Sequence, residues 1–169
     1  MRIVLSIIFF IFLVALSVCM VMAMRSKKAI GKYVSCLACG IIPLIAGNLI
    51  LLLTTNYTVA MIGFYIYFLG MDIMIYSVLR FSYAYCEIKP NKHIKRIPDI
   101  LIILDAIQYA FNPATGFTFS CRSKMVEGYK YFVLVPYTGQ TIHRIIVYGI
   151  FLGVILIFVY KGIKTPKIN

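Results

Sequence analysis

Two carboxylate side chains interrupt long apolar stretches of this sequence. Asp72 lies within FLGMDIMIYSVLRF (68–81), and Asp105 lies in the next apolar stretch. If two successive helices cross a hydrocarbon core of about 30 Å in opposite directions, Asp72 lies ~20 Å and Asp105 ~18 Å below the same surface. An unpaired charge at that depth costs about 2.5–3.5 kcal/mol. We therefore expect both residues to face the interior of a helix bundle and, if they are close, to share a proton.

Four further polar residues are predicted nearer the same surface. They are Asn48, Gln108, His143 and Arg144. With the two aspartates they are the candidate ligand or sensing residues, either as a proton- or cation-responsive group or as part of a small-ligand pocket. The structural alternative is interhelical hydrogen bonding by Asp72, Asp105 and Asn48, worth roughly 0.6–2 kcal/mol for each bond. We expect Asp72, Asp105, His143 and Arg144 to form the polar core of the bundle.

The elements that must position these residues are membrane helices. The chain is 62% hydrophobic and 13% charged, with a mean hydropathy of +0.94, whereas a soluble domain carries about 25% charged residues. We predict a single all-α integral membrane domain, 1–169, with helices at about 3–24, 33–53, 59–79, 97–111 and 141–160. The first apolar stretch is predicted to be a retained anchor rather than a cleaved signal. The fourth is short and flanked by Pro98 and Pro113, so a re-entrant segment is its alternative.

The loop before the last helix, 112–140, is the longest segment outside the predicted helices. Its sequence GFTFSCRSKMVEGYKYFVLV (116–135) has two runs of aromatic and β-branched residues separated by Val126-Glu127-Gly128. This pattern predicts a β-hairpin. Since an isolated hairpin is marginally stable in water, we expect it to lie on the outer ends of the helices. It serves there either as a lid or as a surface for a ligand or partner.

The basic residues predict the orientation of the helices. The sequence has 17 Lys and Arg and a net charge of +12. With the N-terminus outside, only Arg2, Arg122, Lys124, Lys130 and Arg144 fall on the outer side. The other twelve fall on the cytoplasmic side, which agrees with the positive-inside rule. The lipid bilayer is thus the expected partner, and nucleic-acid binding is excluded because no soluble basic face is visible.

Small residues indicate close helix packing. In the third predicted helix Gly63, Gly70, Ser77 and Ala84 recur every seven residues, and Gly149 and Gly153 form a G-x-x-x-G in the last helix. Such faces let helices approach one another closely. A homodimer through Gly149 and Gly153 is one further interpretation.

Recognisable catalytic motifs are absent. There is no Walker loop, zinc-protease helix or serine nucleophile elbow, so we expect neither an enzyme nor a cofactor. The pair Cys36 and Cys39 has no second pair to complete a zinc site, and His93 lies alone among cations. No local metal-ligand spacing is present, and a metal site is not expected.

Four segments together resemble a known family. They are NLILLL, FYIYFLGMDIMIYSVLRFSYAYCEI, FNPATGF and LVPYTGQTIHRIIVYGIFLGVILIF. The chain resembles the N-terminal seven-helix membrane region of bacterial histidine kinases and GGDEF-type diguanylate cyclases. In that family an asparagine-proline segment opens an outer loop after the fourth helix, and a hairpin follows before the fifth. Asn112, Pro113 and Gly116 match the asparagine-proline segment. The family also has a proline-glycine-aromatic-histidine stretch that enters the fifth helix, and the residues that resemble it are Pro136, Tyr137, Gly139 and His143.

The resemblance implies a membrane-embedded sensory input module. Family members continue through two more helices into a cytoplasmic output domain, whereas this sequence stops at Asn169. We therefore expect a region truncated after about five helices, without a catalytic output domain, whose partner would be that missing domain. The alternatives are a small proton or cation transporter or channel subunit, and a non-functional truncated remnant.

Overall fold

The computed structural model describes residues 2–164, which form five helices and one hairpin. In chain order they are α1 (Arg2–Arg25), α2 (Ala29–Leu53), α3 (Tyr57–Tyr85), α4 (Lys92–Thr115), β1 (Phe119–Val126), β2 (Tyr129–Pro136) and α5 (Thr138–Lys164). The prediction of a helical chain with a hairpin before its last helix is confirmed. Residues 165–169, where the expected truncation falls, lie outside the described part.

Four helices, α1, α2, α3 and α5, are long and apolar enough to cross a membrane. Among the described helices α4 does not meet that condition, although it has 24 residues. The predicted bounds of this helix, 97–111, are too short, because Pro98 and Pro113 lie inside it rather than at its ends. A proline beyond the first turn removes one backbone hydrogen bond and crowds the carbonyl four residues earlier, yet α4 continues past both prolines. A crossing by α4 stays a prediction.

Helix α3 lies at the centre of the molecule. It packs against α2, α4, α5 and the first strand of the hairpin, while α1 contacts α2 and buries none of its own residues. Arg2 marks one end of the bundle, since its guanidinium donates a hydrogen bond to the carbonyl of Leu53 and lies 5.8 Å from the ring of Tyr129. The start of α1, the end of α2 and the hairpin therefore share one end, which we call the hairpin end.

Small residues bring α2 and α3 into close contact. A Cβ added to Gly70 would lie 2.6 Å from the backbone nitrogen of Leu44, and one added to Gly47 would lie 2.6 Å from the carbonyl of Gly63. Further from the hairpin end, on the same face of α3, the Ser77 hydroxyl donates a 3.1 Å hydrogen bond to the Cys36 carbonyl. The seven-residue pattern in α3 thus marks a helix contact, as predicted for its first three positions.

The G-x-x-x-G of α5 behaves differently. A Cβ added to Gly149 or Gly153 would meet no described atom within 4 Å. These two glycines therefore do not form a helix contact within the described part of the chain. The proposed homodimer through them stays a prediction.

The hairpin is a regular antiparallel pair that packs against the bundle. Phe119 pairs with Pro136 at its base and Val126 pairs with Tyr129 at its tip. Glu127 and Gly128 form the two-residue turn, and both have positive φ, 50° and 76°, as the mirror-image turns of hairpins require. The base is buried against α3 while the tip is exposed.

Two apolar clusters stabilise the bundle. The upper cluster joins the hairpin end of α3 to α4 and the hairpin through Ala60, Phe64, Phe68, Tyr109, Phe119, Cys121 and Phe132. The lower cluster joins α3 to α5 through Ile75, Leu79, Val147, Ile150 and Val154. Along α3 the residues between these two clusters are 69–74. Asp72 therefore lies between two apolar layers.

Candidate functional site

Three buried ionisable side chains meet between the two apolar clusters. Asp72 comes from α3, Asp105 from α4 and His143 from α5, and they are 2%, 1% and 3% exposed. Nδ1 of His143 lies 2.5 Å from Oδ2 of Asp105 and 3.7 Å from Oδ1 of Asp72. One ligand-type atom from each of the three residues lies within 4.8 Å of the others. We call this group the buried triad.

Aromatic rings fix the orientation of the imidazole. The rings of Phe68 and Tyr109 each meet the His143 ring edge to face, with centroids 5.3 Å away. Phe68 and Tyr109 stack on each other at 4.8 Å. Because these contacts come from α3 and α4, the imidazole of α5 is packed between side chains of both neighbouring helices.

The carboxyl group of Asp105 is fully paired within the site. Its Oδ2 faces His143, and its Oδ1 accepts a hydrogen bond from the Gln108 side-chain amide one turn further along α4. A carboxylate held by an amide on one oxygen and an imidazole on the other has a defined orientation. Gln108 thus belongs to the site, as the sequence indicated.

The carboxylate of Asp72 is not paired in this way. Neither of its oxygens accepts a hydrogen bond from a described residue, although both atoms are buried. A buried polar group without a partner carries its full desolvation cost. The unpaired oxygens therefore mark a place where a further positively charged or hydrogen-donating group would be stabilised.

A cavity of about 300 Å³ reaches the triad from the side of α3 and α4. Its lining residues are Tyr65, Leu69, Asp72, Ala106, Tyr109, Ala110 and Pro113. The lining is mainly apolar, with the Asp72 carboxylate as its one charged group. Asp72 is thus the member of the triad that borders this cavity.

A second polar network connects the triad region to the hairpin. The Tyr109 hydroxyl donates a 2.9 Å hydrogen bond to Oε1 of Gln140, one turn before His143 on α5. Oδ1 of Asn112 accepts hydrogen bonds from the amides of Thr118 and Phe119 at 2.8 and 3.3 Å. Asn112, in the last turn of α4, thereby holds the start of β1.

The start of α5 lies close to this network. A Cβ added to Gly139 would lie 2.6 Å from Cγ2 of Thr118 and 2.9 Å from Oε1 of Gln108. A side chain at this position would push α5 away from α4. Asn112 and Gly139 were named above only through the family resemblance, and their contacts give them a local structural role.

Of the three predicted site residues outside the triad, only Gln108 is hydrogen bonded to it in the described part of the chain. The amide of Asn48 is half-buried and donates a 3.0 Å hydrogen bond to the carbonyl of Leu44 on its own helix. Arg144 is exposed, because the residue after His143 points about 100° away around the helix. The expectation that Arg144 belongs to the polar core is therefore wrong.

Tyr109 and Gln140 were missed by the sequence reasoning. Both are buried and they bond to each other. Helical spacing carried a signal for Tyr109, since Asp105, Gln108, Tyr109 and Asn112 follow the i, i+3, i+4, i+7 pattern of one helix face. Gln140 precedes His143 by three residues and so lies on the same face of α5.

An ion pair joins α3 and α4 towards the opposite end of the bundle. Nη2 of Arg80 lies 2.7 and 2.9 Å from the two carboxylate oxygens of Asp99. The guanidinium also lies 4.8 Å from the ring centroid of Tyr76. These contacts satisfy both charges locally, so neither is available to neutralise the triad.

Comparisons with protein families, curated proteins and solved structures find no match. The geometry described above must therefore carry any functional argument.

Proposed function

We propose that this chain is the membrane-embedded sensory input module of a bacterial signal-transduction protein. The observation that carries the proposal is the buried triad, in which Asp72, Asp105 and His143 join three different helices inside an apolar bundle. A charged group that appears or disappears there changes the contacts between all three helices at once. Few other positions in the described part of the chain would couple a local event to helix packing so directly.

The second step is transmission along α5. This helix runs from the hairpin end through the triad to Lys161 and Lys164 in its last turn. Packed interfaces tend to adopt discrete arrangements rather than deform continuously. A change of partner at His143 would therefore shift α5 as a rigid body against α3 and α4, and its far end would carry that shift to an output domain.

The proposed orientation places the hairpin end outside the cell. Twelve of the 17 Lys and Arg residues fall on the other side, and Lys and Arg accumulate in cytoplasmic loops. The chain is then a multi-pass cell-membrane protein in which α4, whose exposed face carries apolar residues such as Ile100, Ile103 and Leu104, forms a fifth crossing. In this arrangement the cavity beside Asp72 opens in the outer half of the bundle.

A fusion reporter tests the proposal. The full chain is joined after Asn169 to a diguanylate cyclase domain, and cyclic di-GMP is measured in bacteria. We expect Asp72→Asn and His143→Gln each to change the output about fivefold or more, the lower range of typical allosteric coupling. His93→Gln, which changes an exposed histidine, is the matched control and should leave the output unchanged. Equal output from all inserted variants would contradict the proposal.

Cation transport is a second candidate, favoured by the lack of a hydrogen-bond partner for Asp72 among the described residues and by the cavity that this residue borders. The purified chain in liposomes should then conduct cations, and Asp72→Asn should abolish the flux. An internal repeat, which many transporters show, is not visible in the sequence. Absence of both flux and reporter response would favour the remnant interpretation.

A further inference from the structure

We infer that Asp72, Asp105 and His143 form a binding site for a divalent transition-metal ion, of the class of Zn²⁺, Mn²⁺ and Fe²⁺. The role of this ion as the stimulus of the module rests on the proposed function. Binding of the ion can be tested without assuming that function. The inference differs from the expectation of the sequence, which contained no local metal-ligand spacing. The ligands are 33 and 38 positions apart, on three helices, so only the fold brings them together.

The distances suit a metal ion after small adjustments. Zinc bonds to nitrogen or carboxylate oxygen at about 2.0–2.2 Å in tetrahedral geometry, which places neighbouring ligand atoms about 3.4 Å apart. Nδ1 of His143 is 3.7 Å from Oδ1 of Asp72 and 2.5 Å from Oδ2 of Asp105, and the three ligand atoms lie within 4.8 Å of one another. Shifts of about an ångström in the two carboxylate side chains would therefore bring all three ligand atoms to the distances of one coordination sphere.

The independent observation that points to a ligand is the state of Asp72. This residue is 2% exposed, both of its oxygens lack a hydrogen-bond partner in the described part of the chain, and Oδ1 lies 3.7 Å from Nδ1 of His143. Other buried polar residues nearby, such as Asn112 and Gln140, are hydrogen bonded. A metal ion would supply the partner that Asp72 lacks.

The charge balance favours a dication. Two carboxylates with a neutral imidazole carry a charge of −2 between two apolar layers. The nearest ion pair on these helices, Arg80 with Asp99, is already neutral, and Arg144 is exposed. A proton shared by the carboxyl groups would remove one negative charge, whereas a divalent ion removes both.

The donor set indicates the kind of metal. Two oxygens and one imidazole nitrogen suit zinc and the first-row ions, while Mg²⁺ and Ca²⁺ prefer oxygen ligands alone. Three protein ligands leave a coordination position for water, as in open metal sites. A neutral His143 would bind the metal through the lone pair of Nδ1, so its one ring proton lies on Nε2 and no proton leaves the ring.

The surroundings contain the parts that a metal site needs. Gln108 donates a hydrogen bond to Oδ1 of Asp105 and leaves Oδ2 available, and such outer partners orient metal ligands. The rings of Phe68 and Tyr109 hold the imidazole plane. The cavity lined by Asp72 provides an entry path from the side of α3 and α4.

Direct metal binding is the test. The full chain, purified in detergent without a polyhistidine tag and stripped with a chelator, is titrated with Zn²⁺ and assayed by mass spectrometry for bound metal. We expect one zinc ion per chain. Asp72→Asn, Asp105→Asn and His143→Gln should each weaken binding about a hundredfold or more, since losing an outer-shell partner already costs about 10–100-fold. Control variants are His93→Gln and Glu127→Gln, both exposed, and they should bind as the parent does.

A second measurement distinguishes the loss of a metal ligand from the misfolding of a variant. Co²⁺ bound to the parent chain should give the visible absorption of a low-symmetry nitrogen–oxygen site, and Asp72→Glu, which keeps the ligand type, should retain it. The inference is overturned if the parent binds no more zinc than His143→Gln does, or if the Co²⁺ spectrum is that of the free ion. Zinc binding without any change in the cyclase reporter would reject the sensory proposal and leave the metal site standing. A reporter response in a chain that binds no metal would contradict the metal site and leave the sensory proposal uncontradicted.

Discussion

The imidazole of His143 contacts the Asp105 carboxylate through Nδ1, and it meets the rings of Phe68 and Tyr109 edge to face. The 2.5 Å contact to Asp105 and the stacked pair Phe68 and Tyr109 leave it one orientation. Asp72 completes the triad without a hydrogen bond of its own. Both carboxylate oxygens of Asp105 thus have a polar partner in the site, whereas neither oxygen of Asp72 accepts a hydrogen bond from a described residue.

Removal of the imidazole should destabilise the bundle. In His143→Leu the buried Asp105 loses its partner while Asp72 stays nearby, and a buried polar group left unpaired costs about 1–3 kcal/mol. Thermal unfolding in detergent should show a lower midpoint than for the parent chain. His93→Leu, at an exposed position, should change stability by no more than about 0.5 kcal/mol. Equal midpoints for both variants would show that the His143 contacts do not stabilise the fold.

A second residue-scale prediction concerns the thiol of Cys121 in β1. Burial against the bundle raises the pKa of Cys121 above its usual value. Since the thiolate is the reactive form, the thiol stays protonated at pH 8 and should react slowly with iodoacetamide, faster only as the pH rises further. Mass spectrometry of the peptide measures the rate.

The matched control lies in the same strand. Ser123 is exposed, so in Ser123→Cys the new thiol should be modified at the rate of a free cysteine at pH 8. If Cys121 reacts as fast as this control in the folded protein, the packing of the hairpin base against α3 is not as described.

Among the elements, α2 and α3 form the closest contact because glycines allow their backbones to meet. Gly40 and Gly47 on α2 face α3, while Gly63 and Gly70 on α3 face α2. This pair of helices fixes the rotation of α3 about its axis and so determines where Asp72 points. The hairpin and α4 are then held by Asn112 at the other side of α3.

The glycine contact gives an element-scale prediction. In Gly70→Ala the new methyl group would lie 2.6 Å from the nitrogen of Leu44 and 2.8 Å from the carbonyl of Gly40. Because backbone atoms cannot move without distorting their helix, we expect the free energy of unfolding to fall by about 1–3 kcal/mol, the usual cost of overpacking. Unfolding of the purified chain by SDS titration measures it.

Gly153→Ala is the control for that change. Nothing described lies within 4 Å of its Cβ position, and alanine favours helix by about 1 kcal/mol over glycine. The variant should be as stable as the parent or slightly more stable. If Gly153→Ala were the more damaging of the two, the homodimer through Gly149 and Gly153 would gain support.

On the scale of the whole molecule, the bundle has a hairpin end and a basic end. The hairpin end is marked by the contacts of Arg2 with Leu53 and Tyr129. The basic end has Arg25 in the last turn of α1 and Lys161 and Lys164 in the last turn of α5. Four helices are long and apolar enough to cross a membrane. In the proposed orientation the triad lies between these two ends, within the apolar part of the bundle.

Labelling in cells tests the orientation. In a background with all five native cysteines replaced by serine, Lys124→Cys at the hairpin tip should react with a membrane-impermeant maleimide on intact cells. Lys27→Cys, between α1 and α2, should react only after the membrane is opened. The reverse pattern would contradict the proposed outer position of the hairpin, and labelling of both in intact cells would contradict membrane insertion as proposed.

Local sequence determined the helices and the hairpin. Hydropathy adds up along the chain, so four apolar helices could be found within a few residues of their bounds, and the turn at Glu127 and Gly128 followed from its flanking strand patterns. The length of α4 was not predictable in the same way, because Pro98 and Pro113 are typical of helix ends and yet lie inside it.

Tertiary structure decided which polar groups meet. The depth of Asp72 and Asp105 followed from the rise of a helix, but their direction depends on how each helix rotates about its axis. That rotation is set by contacts such as Gly70 with Leu44 and Gly139 with Thr118, which join residues far apart in the chain. For this reason His143 joined the two aspartates while its neighbour Arg144 turned away, and no local spacing in the sequence could have distinguished them.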